Sequence, residues 1–289
     1  MSLIEVDAAW VRPRLPVRKP DSNKGTYGRV LVIGGCENYI GAPALSALAA
    51  YRVGAGLVTL CVPDAIKPIV AQSCREATFI SFDVSEVTAL KGVTAVVIGP
   101  GMGQSAGARA FHQAYFAAPL AVPHVIDADA LNLLAPLSTH RAKLPKHTVI
   151  TPHPGEMSRL TERSTAEVQA SRVAVAQESA QHWGCVVLLK GAGTIVAVPN
   201  TAAAQLSFAN PAMAVAGTGD VLAGTIGGFL AQGLSPSDAA VCGAFVHGSA
   251  GDQWRRLHGD AGLLASDLLP LLPDVLRSTV NNLDAASEA

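Results

Sequence analysis

One carboxylate, Asp220, stands among the glycines of VAGTGDVLAG (215–224), directly ahead of an apolar stretch that reads as a helix. Consecutive amides from Ala216 to Gly219 at such a helix start make a pocket for an anion, suited to a transferring phosphoryl group. Asp220 beside that pocket is placed to accept a proton from a substrate hydroxyl. A helix N-terminus stabilises a carboxylate, which weakens it as a base. Phosphoryl transfer tolerates this, because its loose transition state depends mainly on positioning. From these residues alone, Asp220 reads equally well as a first-turn acid that favours the helix dipole.

Three other glycine-rich turns, VIGG (32–35), IGPGMG (98–103) and LKGAGT (189–194), also follow apolar runs. In open α/β sheets ligands bind beyond the carboxyl ends of the strands, so four such turns at one edge would line one cleft. Glycine there lets backbone amides approach a ligand closely. Two familiar phosphate motifs are excluded. No GxGxxG follows a strand, since Leu222 holds the third glycine's place in GTGDVL, and no Gly-Lys dipeptide exists for a P-loop.

The elements that must hold these turns alternate along the chain. Continuous apolar runs at 30–34, 57–62, 77–82, 95–99, 124–128, 147–151 and 186–191 fit strands covered on both faces, as in a mostly parallel sheet. Helices are expected over 42–53 and 165–183, the latter opened by a Ser164/Glu167 capping box and closed by Gly184. On it Val168, Val175, Ala176, Ala180 and Trp183 share one arc, which predicts packing on the sheet. The stretches 218–231, 237–252 and 263–269 read as successive closing helices. This order predicts a three-layer α/β/α domain. No composition break marks a linker, so a single domain over 1–289 is expected, with 1–23 and 275–289 as peripheral ends and NNLDAASEA as a frayed tail.

With 49% hydrophobic and 15% charged residues, the 289-residue chain has the makings of an extensive core. Lys and Arg total 21 against 22 Asp and Glu, without a basic run, which argues against nucleic-acid or anionic-membrane partners. The five scattered cysteines form no CxxC pair, so buried thiols in a reducing cytoplasm are expected. The start, MSLIEVDAAWVRPRL, lacks a signal-peptide core, and no uncharged apolar run reaches the roughly 18 residues of a membrane span.

These motifs together resemble the ADP/ATP-dependent NAD(P)H-hydrate dehydratases, a family with the ribokinase-like fold. The likeness runs from about Lys24 to Asp267. It is carried by KGTYGRVLVIGG, YIGAPALSALAAYRVGAGLVT, IGPGMG, DADALNLL, TPHPGEMSRL, LKGAGT, NPAMAVAGTGDVLAG and HGSAGD. TPHPGE together with GTGD is the most specific part. Ala209 and Ala216 stand where the family usually has glycine, and Asn23 where histidine is common.

The resemblance implies a hydro-lyase for metabolite repair. Water added at C6 of the nicotinamide ring of NADH or NADPH leaves a hydroxyl that departs poorly. Phosphorylation of that hydroxyl, by ADP (giving AMP) or ATP with Mg²⁺, lets phosphate leave. Asp220 is implied as the base and a hydrate contact, with Gly217, Thr218 and Gly219 as the anion hole. Lys190, Gly191, Ala192, Gly193 and Thr194, with Gly219, are implied for the nucleotide. Ala42, Gly101, Gly103 and His153 are implied for the hydrated dinucleotide (NADHX or NADPHX). Lys190 also fits a strand-end surface lysine, and His153 between Pro152 and Pro154 also fits a rigid turn. Asn210 and Glu156 are candidates to order Mg²⁺ through water, although the metal ligands are not assigned. His247 and Asp252 are expected only to pack or cap late helices. A cytoplasmic homo-oligomer, a tetramer, working beside a separate epimerase is also implied. The rival reading is a vitamin or sugar kinase of the same fold, such as a hydroxyethylthiazole kinase, which would stop at the phosphorylated product.

Overall fold

The computed structural model of the protein describes residues 3–136 and 144–281. Its strands are β1 (Ile4–Glu5), β2 (Arg29–Ile33), β3 (Leu57–Val62), β4 (Thr78–Ser81), β5 (Ala95–Ile98), β6 (His124–Ile126), β7 (Thr148–Ile150), β8 (Val186–Leu189), β9 (Thr194–Ala197) and β10 (Ala204–Leu206). They form one sheet in the order β1-β10-β9-β8-β7-β6-β5-β2-β3-β4, parallel except for β9, which runs against both neighbours. The strand order reverses between β2 and β5, so the switch point lies where Gly34 and Gly99 leave the sheet.

Alternation along the strands gives each face its own core. Val30, Val32, Val58, Leu60 and Val97 point to one side, Leu31, Ile33, Val96 and Ile98 to the other. The first face is covered by α1 (Ala8–Val11), α2 (Gly41–Arg52), α3 (Lys67–Ser73) and three late helices. The second is covered by α4 (Val84–Ala89), α5 (Ala106–Ala117), α6 (Ala128–Leu134), α7 (Pro154–Thr161), α8 (Thr165–Ala170) and α9 (Arg172–Trp183). The late helices are α10 (Thr218–Ala231), α11 (Pro236–His258) and α12 (Leu268–Asn281). This is the three-layer α/β/α arrangement expected.

Several boundaries differ from the expectations. The helix expected over 165–183 is two helices, because the chain leaves helical geometry at Ser171 (φ −136°, ψ 41°). Its capping box, its closing Gly184 and its buried arc of Val168, Val175, Ala176 and Ala180 are all present, with Trp183 partly buried against the same cluster. The helix expected at 263–269 begins instead at Leu268 and runs to Asn281, with Pro273 inside it. Leu268, Leu269, Leu272, Val275 and Thr279 form its buried stripe, and packing of that stripe outweighs the prolines. Within the ends expected to be peripheral, Ile4 and Glu5 pair with β10 as the exposed edge strand, and Val11 and Val275 are buried. Residues 282–289, the bulk of the expected frayed tail, lie outside the described residues. All five cysteines are free, with Cys36 partly exposed and the other four buried.

Candidate active site

Asp220 occupies the third position of α10, whose N-cap is Gly217 in the left-handed region (φ 90°). The first-turn amides of a helix have no carbonyl partner within it, so those of Thr218, Gly219 and Asp220 are of the kind that binds anions at helix starts. Thr218 Oγ1 donates to Val215 O (3.1 Å) and Met213 O (3.3 Å), stitching the turn closed. His247 Nε2 donates to Thr218 O at 2.9 Å, and Ser46 Oγ donates to Asp220 O at 2.8 Å. The positive φ falls on Gly217, while Ala216 and Ala209 do not have one, so alanine fits at both places.

Close packing fixes α10 against its neighbours. A Cβ at Gly224 would lie 2.1 Å from Ser46 O, and one at Gly227 would lie 2.3 Å from Val97 Cγ2. These glycines let the helix backbone meet α2 and β5 directly, which sets where Asp220 emerges.

The lysine of LKGAGT is no surface residue. Lys190 Nζ lies 2.8 Å from Asp127 Oδ1 and 3.7 Å from Glu156 Oε2, with all three side chains largely buried. A Cβ on Gly219 would sit 3.4 Å from Lys190 Nζ and 4.0 Å from Asp127 Oδ2, so the ion pair lies directly against the first turn of α10. Asp127 is the residue that the sequence reading passed over. An acid between β6 and a helix reads as an N-cap, yet its carboxylate makes no capping bond and turns to Lys190 instead. Ala128 beside it is held at φ 50°, which costs a non-glycine residue on the order of 1–3 kcal/mol.

These charges act on Asp220. Burial, then the Asp127 carboxylate, raises its pKa to about 7, while Lys190 pulls the other way. The helix N-terminus was expected to leave a weak base; desolvation wins instead, and the acid is poised near neutrality. Burial likewise raises Glu156, and Lys190 opposes the effect. The pKa of Lys190 lies above its usual value, because its acid neighbours outweigh the desolvation that favours the neutral amine.

A cavity of about 800 Å³ joins these groups. It is lined by Gly217, Thr218, Gly219, Asp220, His153, Lys190, Gly191, Ala192 and Thr194 among the expected residues. Phe208, Met213, Leu222 and Ala244 supply an apolar wall suited to an aromatic ring. His153 both caps a helix and borders the cavity. Its Nδ1 accepts from the amides of Gly155 (3.0 Å) and Glu156 (3.3 Å), capping α7, while its ring borders the cavity. Burial, then Lys190, lowers its pKa, favouring the neutral ring.

Other expected residues fall elsewhere. Ala42, Gly101 and Gly103 do not line this cavity; they cluster at the switch point, where a Cβ on Gly101 would lie 2.8 Å from Ala42 Cβ. Gly103 N donates to Asp129 Oδ2 at 2.8 Å, tying that cluster to α6. Gly193 lies on the far side of its loop. Asn210 lines the cavity, with its amide donating to Asp252 Oδ1 (3.1 Å) and accepting from Ala212 N (3.0 Å). His247 does more than pack: it borders the cavity and holds the Thr218 carbonyl, with burial lowering its pKa to about 4.

A mostly parallel sheet between two helical layers, with an acid at a helix N-terminus sharing a cavity with a lysine-bearing glycine loop, is the ribokinase-like arrangement. Solved kinases of this fold at 18% identity or less share the architecture alone. Residues 30–274 match the Carb_kinase family model, described as NAD(P)H-hydrate dehydratase, and the chain belongs to that family. It is 41% identical over 285 residues to the bifunctional NAD(P)H-hydrate repair enzyme Nnr of Moorella thermoacetica, covering 94% of this chain and 53% of the relative. The chain thus spans about half the length of such bifunctional relatives. An ADP-dependent (S)-NAD(P)H-hydrate dehydratase of Neisseria meningitidis is 38% identical over 258 residues, covering 88% of this chain and 86% of the relative. The ADP/ATP-dependent NAD(P)H-hydrate dehydratase of Bacillus subtilis, co-crystallised with ATP/Mg²⁺, superposes with a TM-score of 0.85 at 31% identity, over 96% of this chain and 99% of that one.

Proposed function

We propose that this chain removes water from NADH or NADPH hydrated at C6, using ADP as phosphoryl donor and leaving AMP. The observation that carries this reading is the placement of Asp220 in the first turn of α10, on the same cavity as Lys190 and the glycine loop that bears it. The Asp220 carboxylate takes the proton of the C6 hydroxyl as its oxygen bonds to the terminal phosphorus, and the bridging P–O bond breaks. The amides of Thr218, Gly219 and Asp220 receive the transferring group, where their fixed dipoles stabilise its charge. Lys190 and the amides of Gly191, Ala192 and Thr194 hold the remaining phosphate. The ring nitrogen then expels the phosphate from C6, and loss of a C5 proton restores the dihydropyridine. Gly193 supports the loop from its far side, and Ala42, Gly101 and Gly103 at the switch point bear the hydrate's distal part.

Mg²⁺ would be held by those oxygens of Asp127 and Glu156 that Lys190 leaves free, since Lys190 Nζ already lies 2.8 Å from Asp127 Oδ1 and 3.7 Å from Glu156 Oε2. No cluster of three His, Cys, Asp or Glu side chains among the described residues could hold a metal, so water and phosphate oxygens would complete its shell. Bound there, it would neutralise charge on the transferring phosphate.

The proposal extends to a cytoplasmic homotetramer working beside a separate epimerase, as the resemblance implies. Among the described residues no helix is long and apolar enough to cross a membrane. Chemically hydrated NADH incubated with ADP and, separately, with ATP tests the reaction. Recovery of the reduced ring's near-ultraviolet absorbance supports it. Phosphate transfer to a small alcohol without recovery favours the kinase instead.

A further inference from the structure

Arg172 opens α9, the wrong end of a helix for a cation, since the macrodipole there is positive. No carboxylate among the described residues forms an ion pair with it. Its guanidinium instead faces backbone carbonyls. Nη2 donates to Leu189 O (3.1 Å), Lys190 O (3.3 Å) and Gly193 O (3.3 Å), and Nη1 donates to Lys190 O (3.3 Å) and Gln169 Oε1 (2.9 Å). The three carbonyls span the base and the tip of the LKGAGT loop.

That loop is a wall between two cavities. Gly191, Ala192 and Thr194 border the large one, while Arg172, Ala192 and Gly193 border a second of about 470 Å³ behind it. In a trans peptide the C=O and the following N–H point opposite ways. Holding Lys190 O on the Arg172 side therefore turns the Gly191 N–H away from Arg172. The plane before it is fixed at both edges, because Lys190 N donates to Pro152 O at 2.9 Å. A Cβ on Gly191 (φ 140°) would lie 2.9 Å from Arg172 Nη1, so guanidinium and loop are in direct contact. The break at Ser171, where one continuous helix was expected, starts a new helix with Arg172 against the loop.

We infer that Arg172 is a positioning residue for nucleotide binding: it grips the outer carbonyls of Leu189, Lys190 and Gly193 and presents the loop's amides to the nucleotide's phosphate. The inference rests on the reading of this loop as the nucleotide site. A planar fork spans several acceptors at once, which an ammonium does not.

The test is calorimetric titration of ADP into wild type, Arg172→Ala and Arg172→Lys, with urea midpoints and steady-state constants for ADP and the hydrate. Arg172→Ala should weaken ADP binding about tenfold and raise the KM for ADP alike, leaving the hydrate KM and kcat within about threefold. Arg172→Lys should stay weak, and free guanidinium ion at millimolar concentration should restore part of the alanine variant's affinity. ADP affinity within twofold of wild type in Arg172→Ala overturns the inference. So does a loss that tracks the urea midpoint and that guanidinium does not restore. Should wild type bind ADP yet dehydrate nothing, the dehydratase reading fails, and Arg172 is still judged by the titrations. Wild type that binds no ADP overturns both.

Discussion

Lys190 Nζ and Asp127 Oδ1 lie 2.8 Å apart, packed against the first turn of the helix that carries Asp220. One cation thus stands among three acids, Asp127, Glu156 and Asp220, and the surplus negative charge adds to desolvation in raising Asp220.

The pH dependence of kcat/KM for the hydrate follows from this. If Asp220 is the base, as proposed, it must be deprotonated, so activity should climb with pH to a limb near about 7 and fall about tenfold per unit below it. Asp127→Asn removes a charge that raises Asp220 and should move the limb to lower pH. Lys190→Met removes the opposing charge and should move it higher. Profiles for the three proteins at saturating ADP check the order; a limb that stays fixed across them contradicts it.

Stability should show the same group with a defined sign. The folded carboxyl binds its proton more tightly than the unfolded one, so its contribution is present below the unfolded pKa and lost as pH rises through about 7. Asp220→Asn has no such loss. Relative to wild type it should gain on the order of 1–3 kcal/mol between pH 4.5 and pH 8, after allowance for partial exposure. Urea unfolding across that range measures the difference, and parallel curves would refute the burial of charge at this site.

The helix that aims Asp220 depends on bare backbone. Gly224→Ala would place a methyl 2.1 Å from Ser46 O, where α2 must retreat. A loss of about 1–3 kcal/mol is expected, together with a fall in turnover larger than that of Gly184→Ala, whose added methyl meets nothing within 4 Å. Equal turnover in the two variants would show that α2 contact does not set the acid's position.

The sheet was legible because its central strands are buried on both faces and so read as unbroken apolar runs, as in VLVI and AVVI. Short β9 (TIVA) and β10 (AQL), which lie between β8 and the edge strand β1, were not, since Thr194 and Gln205 leave them only brief apolar runs with little periodic signal. Asp220 stood out through its glycines. Asp127 did not, because a strand-end acid before a helix looks like an ordinary cap until Lys190, distant in sequence, claims its oxygen. The direction of the Asp220 shift was likewise hidden: local sequence shows the helix dipole, whereas desolvation comes from the assembled walls of the cavity. Arg172 was concealed by a helical pattern that continued through Ser171.

The most direct measurement follows AMP, inorganic phosphate and the reduced nicotinamide ring together in one reaction of hydrated NADH with ADP, for wild type and Asp220→Asn. Wild type should form all three in equal amounts. Asp220→Asn should slow all three by about 10²- to 10⁴-fold while its ADP affinity stays within a few-fold. Near-normal turnover by the variant, or AMP formed without recovery of the ring, would contradict the role given to Asp220.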